Sequence, residues 1–145
     1  MIVNTAYIYM GVGGGGGGTP ANPNLWQDGV ANYPVELTNS SITAAGLNFV
    51  TGLGDATFSE LPLTYFNRLT LTGRITSGPS RTSEISIEFY SSDNVLIGTT
   101  TAKFPKSETS VAVDIPSSAK IQNAKIKIKK TDYVSSLTFS SALLS

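Results

Sequence analysis

From Arg68 onward the chain alternates apolar and polar side chains with a period of two, and no long amphipathic helix pattern occurs anywhere in its 145 residues. Leu69, Leu71 and Ile75 face one way and Arg68, Thr70, Thr72 and Arg74 the other, with Gly73 marking a bulge or bend. Ile85, Ile87 and Phe89 alternate with Ser86 and Glu88, Ser91–Val95 supplies a turn, and residues 84–104 read as a hairpin. Val111, Val113 and Ile115 form the next inward row before Pro116 stops it. Ile126 and Ile128 oppose Lys125, Lys127 and Lys129, and Leu137, Phe139 and Leu143 close the series. Alternation of this kind belongs to half-buried antiparallel strands.

Residues 25–66 mix short apolar runs with Gly and Pro, which suits short strands and long loops. Ser41–Val50 has some helical character, but Gly46 and β-branched flanks argue against a helix. The expected class is all-β: an antiparallel β-sandwich, jelly-roll-like, over residues 25–145, preceded by an extended arm and tether over residues 1–24.

The N-terminal stretch contains Gly11-x-Gly13-x-x-Gly16, the spacing of a dinucleotide-binding loop. Such a loop must open a helix whose N-terminus faces the pyrophosphate. Here Thr19, Pro20, Ala21, Asn22, Pro23 and Asn24 follow, and two prolines and two asparagines oppose that helix. The match is a product of low complexity. Gly11, Gly13, Gly14, Gly15, Gly16, Gly17 and Gly18 read instead as a tether, spanning roughly 15 Å on average and about 28 Å fully drawn out. Ahead of it, Ile2, Val3, Tyr7, Ile8 and Tyr9 belong to an uncharged, β-prone segment suited to completing a sheet edge, in its own body or in another chain.

The chain has no Cys and no His, which removes disulfides, thiol nucleophiles, imidazole metal ligands and the usual general base. Residues 1–67 carry four acids and no base, and the remainder carries ten bases against six acids. That excess is too dilute to indicate a nucleic-acid partner, and the polarity favours head-to-tail contact between copies. No secretory signal pattern and no membrane-spanning apolar run is apparent, so the chain is expected to be used as made, without a membrane partner. The Asn39-Ser40-Ser41 triplet is a chance match to a glycosylation acceptor. The lysines at 125, 127 and 129 read as the solvent face of a strand, where they discourage edge pairing.

The Phe89-Tyr90 strand, the turn at Ser92–Asn94, the returning strand to Lys103, Val111-x-Val113-x-Ile115-Pro116 and Ile126-x-Ile128 together resemble the jelly-roll modules of tailed-bacteriophage virion proteins. Those modules are similar in shape to carbohydrate-binding modules, and the resemblance covers roughly residues 65–145. It implies a non-enzymatic component of a virion, as capsid decoration or as part of a tail or fibre. Its arm would dock onto other virion proteins and copies of itself.

The alternative function is glycan recognition. Exposed aromatic rings stack on sugars while Asp, Asn and Gln orient hydroxyls, and the candidate contacts are Trp26, Asp28, Tyr33 and Tyr65, with Tyr90 and Tyr133 as further aromatics. The acids Asp28, Asp55, Glu60, Glu84, Glu88, Asp93, Asp114 and Asp132 offer no spacing that specifies a glycosidase pair or a calcium loop. The expectation is a protein with no enzyme activity, no cofactor and no metal.

Overall fold

The computed structural model describes residues 21–145. The docking arm (Ile2, Val3, Tyr7, Ile8, Tyr9) and the tether (Gly11 to Gly18) lie outside the described residues.

Twelve strands run through the described residues: β1 (Trp26–Gln27), β2 (Val30–Ala31), β3 (Val35–Thr38), β4 (Ser40–Thr43), β5 (Gly46–Phe49), β6 (Gly54–Leu61), β7 (Arg68–Ser77), β8 (Thr82–Tyr90), β9 (Leu96–Pro105), β10 (Thr109–Asp114), β11 (Ala124–Lys130) and β12 (Ser136–Leu144). β1 and β2 make a small ribbon. Two residues, Asp28 and Gly29, join them with φ of 52° and 82°, the positive pair that a tight hairpin turn of matching twist demands.

The other ten strands form two five-stranded antiparallel sheets, one in the order β10-β7-β12-β5-β4 and the other β3-β6-β11-β8-β9. Every connection from β3 to β12 crosses from one sheet to the other, except the β4–β5 and β8–β9 hairpins. The result is a jelly-roll-like β-sandwich.

Apolar side chains on the inner faces fuse into one core. Phe139 of the first sheet meets Phe104 of the second edge to face at 4.9 Å and Phe49 at 5.9 Å, so three rings tie the layers together. Of the inward residues expected from Leu69 to Phe139, all but the half-buried Val111 are buried. Ser41–Val50 forms the β4–β5 hairpin.

Three expectations need correction. The bulge placed at Gly73 falls on the partner strand: Phe139 pairs with Gly73 and Ser141 with Thr72, leaving Ser140 as the extra residue. Gly73 is required for another reason, because a Cβ there would run into the Phe139 ring. The same bulge reverses the alternation, so Ala142 and Leu144 point inward and Leu143 outward, the opposite of its expected direction. The lysine strand β11 is the central strand of its sheet, so its lysines guard no edge.

Ala21, Pro23 and Asn24 contact the body. Asn24 bridges Leu143, the Pro23 carbonyl accepts from the Leu144 amide, and Ala21 packs on the core. Asn39, with φ of 50°, donates its amide to the Thr51 and Leu53 carbonyls as the chain passes between sheets.

Candidate functional site

The outer face of the β3-β6-β11-β8-β9 sheet is a polar grid set by register. Glu36, Thr57, Lys127, Glu88 and Thr99 stand opposite one another in a row that crosses all five strands. The next row is Thr38, Asp55, Lys129, Ser86 and Thr101. At the usual strand spacing each row is roughly 19 Å long. Lysines fill the middle column, and acids stand on both sides.

A groove of about 380 Å³ opens on this face, within the size range of small-ligand sites. Glu36, Asp55 and Thr57 line one side, Tyr90 and Asn94 the other, and Lys125 and Lys127 lie between them. β-Strands carry all of these except Asn94, which sits in the β8–β9 turn with φ of 64°. The Asn94 amide donates to the Ser91 carbonyl, and the Ser91 amide to the Val95 carbonyl, which holds that turn in place.

The lysines in the groove are held by neutral neighbours. Lys125 Nζ donates to Asn94 Oδ1 at 2.6 Å, and Lys127 Nζ stands 5.6 Å from the centre of the Tyr90 ring, as a cation–π contact. Tyr90 donates its hydroxyl hydrogen to Glu88 Oε1 at 2.6 Å. Among the described residues the one ion pair is Arg68–Asp114, at 3.5 Å on the other sheet. The groove's lysines and carboxylates are therefore not neutralised in direct pairs.

This crowding shows in the titration behaviour. Burial holds Asp55 above the usual carboxylate range, Lys127 and Lys129 pull it back, and Glu36 and Glu88 add to the rise. The Tyr90 phenol is pushed up to about 12, first by its hydrogen bond to Glu88, then by burial and by the charges of Glu88 and Asp55. Among the described residues no three acids gather closely enough to hold a metal ion.

None of the four candidate contacts lines the groove. Trp26 is 4% exposed, stacks on Phe58 at 5.8 Å and donates its indole N–H to the Ser140 carbonyl, so neither ring face is open to a sugar. Tyr33 is half-buried and donates its hydroxyl to the Asn22 carbonyl at 2.6 Å, pinning the entering chain; burial raises its pKa. Asp28 is exposed at the tip of the β1–β2 hairpin. Tyr65 is 68% exposed on a short 3-10 turn, Leu63–Tyr65.

Of the groove residues, the sequence singles out Tyr90 as an aromatic and Asp55 as an acid, and carries no signal that joins Glu36, Thr57, Asn94, Lys125 and Lys127 to them. Alternation shows that Lys125, Lys127 and Glu88 point outward. It does not show that β6, β11 and β8 are neighbours, which is what makes the groove.

No protein-family model matches the sequence, and no curated protein sequence matches it either. Similar solved structures include an arabinose-bound MgGH51 α-L-arabinofuranosidase, 10% identical with a TM-score of 0.51, covering 98% of this chain. The chain spans 30% of the length of that enzyme. They also include a family 11 carbohydrate-binding module from Clostridium thermocellum in complex with a β-1,3-1,4-mixed-linked tetrasaccharide, 11% identical with a TM-score of 0.47, covering 76% of this chain and 80% of the module. A carbohydrate-binding module specific for non-crystalline cellulose, CBM28, is 11% identical with a TM-score of 0.49 and covers 82% and 83%. At such identities the likeness is one of fold.

Proposed function

We propose that this protein is a carbohydrate-binding module whose ligand lies in the groove on the outer face of the β3-β6-β11-β8-β9 sheet. The observation that carries the reading is the convergence of Glu36, Asp55, Thr57, Asn94, Lys125 and Lys127 around Tyr90, without direct ion pairs among them. A sugar presents many hydroxyl donors and acceptors and a weakly apolar ring face. Carboxylates accept from hydroxyls, amines and the Asn amide donate to them, and an aromatic ring supplies apolar contact. Side chains mounted on strands need little reordering when the ligand arrives, which lowers the cost of binding. The reading is one of binding without turnover.

Affinity electrophoresis through gels containing soluble polysaccharides tests it, with Tyr90→Ala and Asp55→Ala as site variants and Tyr65→Ala as a control. Retardation of the parent and of Tyr65→Ala, reduced at least tenfold in affinity for the two site variants, supports the groove. Equal retardation of all four refutes it.

The second reading is a virion surface component attached through Ile2–Tyr9. Its support is the uncharged, β-prone sequence of that segment and its glycine tether. Deletion of residues 1–18 tests it: loss of incorporation into particles with an intact body agrees, and unchanged incorporation contradicts. A displayed module can also bind glycans, so the two readings are compatible.

A further inference from the structure

We propose, resting on the glycan reading of the groove, that the preferred ligand is an anionic glycan, with a carboxylate or sulfate of the sugar seated between Lys125 and Lys127. These residues are two apart on the central strand, so both project from the same face with bases roughly 7 Å apart. Both are half-buried. Their neighbours are an amide oxygen, Asn94 Oδ1, and an aromatic ring, Tyr90. Neither neighbour carries a charge at neutral pH. Two ammonium groups on one strand face, each without a carboxylate within 4.0 Å, form a seat for one anion.

The other charges of the face fix where that anion goes. Lys125 pairs across to Tyr90, in the row farthest from Thr38 and Asp55. Glu36 lies two strands from Lys127, with Thr57 between them, which is roughly 10 Å at the usual spacing. Glu88 stands opposite Lys127 and already accepts the Tyr90 hydroxyl, while Ser59 and Glu60 fill the β6 bulge that faces Lys125. The acidic side formed by Glu36 and Asp55 repels an anion but accepts from neutral hydroxyls. A ligand with an anionic group at one end and hydroxyls along the rest therefore satisfies both sides. A neutral glycan leaves the lysine seat without a counter-charge.

Calorimetry on the full chain at low ionic strength tests this with ligand pairs that differ only in the anion. The pairs are trigalacturonate against its methyl ester, for carboxylate, and a sulfated galactan (carrageenan) oligosaccharide against its desulfated, neutral form, for sulfate. At least one pair is expected to show the charged member binding tenfold or more tightly, with a preference that shrinks as salt rises. Lys125→Gln and Lys127→Gln should remove the preference, weakening the charged member tenfold or more and the neutral member much less, with the melting temperature within error, and Lys127→Arg should retain it. Equal binding of charged and neutral members overturns the proposal and leaves the glycan reading standing, whereas absence of binding to any glycan overturns both. Comparable affinity for polyglutamate also overturns it, because the seat would then be selecting charge without sugar.

Discussion

Tyr90 donates its hydroxyl hydrogen to Glu88 across two residues of one strand face, and that bond orders the aromatic ring that lines the groove, over which the Lys127 ammonium stands. The bond favours the neutral phenol. A folded pKa raised from 10.0 to about 12 contributes stability that is present below pH 10 and lost as pH rises through the folded value. Spectrophotometric titration should therefore reveal a late-ionising tyrosine component, beyond that of the half-buried Tyr33, that is missing in Tyr90→Phe, and Glu88→Gln should bring it down toward the ordinary range. Unchanged titration in Glu88→Gln would contradict the assignment.

Asp132 orders the β11–β12 connection. Its carboxylate accepts the Val134 amide at 2.6 Å, the Ser135 amide at 3.1 Å and the Ser83 hydroxyl at 3.0 Å. Burial alone would raise its pKa, but the bonds from Val134, Ser135 and Ser83 outweigh burial and hold it below the ordinary value. A depressed folded pKa contributes stability above the unfolded value of 3.8, and that contribution fades as pH falls through the lower, folded value. Asp132→Asn should cost about 1.5–3 kcal/mol at pH 7 in denaturant titration, with a much smaller penalty at pH 2. A penalty independent of pH would assign the effect to shape and not to charge.

Lys130 closes the inward row of β11 in phase with Ile126 and Ile128, and it is fully buried, donating to the Asp132 carbonyl. Burial lowers its pKa, and Asp132 only partly restores it. The charged form is therefore costly in the folded state. Stability tied to this group is diminished below the folded pKa and recovered as pH rises toward the unfolded 10.5. Relative to Lys130→Met, the parent should gain stability as pH rises from neutrality toward 10.5 in parallel melts. A constant difference over that window would remove the buried-charge account.

Gly46 has φ of 120°, and a Cβ on it would collide with the Phe139 carbonyl oxygen of the neighbouring strand. No rotamer relieves a clash between a Cβ and backbone. Gly46→Ala should cost about 2–4 kcal/mol in equilibrium unfolding. Gly52→Ala, with positive φ but only the Asn39 side-chain amide near at 3.3 Å, should cost about half as much. Equal costs would contradict the close approach.

The sandwich was legible because Ile85, Ile87, Phe89, Ile126, Ile128 and Phe139 carry a period of two, and burial of one face enforces it. Leu143 escaped that rule because the extra residue Ser140 reverses the phase, and a bulge leaves no mark in hydrophobicity. The candidate site was much less legible. Glu36 and Lys127 are 91 positions apart in the chain and come into one row, on either side of Thr57, only through strand order. Trp26 drew attention as the lone tryptophan, but a large ring is as useful in filling space against Phe58 as in meeting a ligand.

The most direct test of groove binding is a two-dimensional amide NMR titration of the labelled protein with oligosaccharides drawn from the gels that retard it. The account predicts saturable shifts at Thr57, Tyr90, Asn94, Lys125 and Lys127, with the opposite sheet and Tyr65 unmoved. Shifts centred on Tyr65 or Tyr133, or on the β10-β7-β12-β5-β4 sheet, would contradict it.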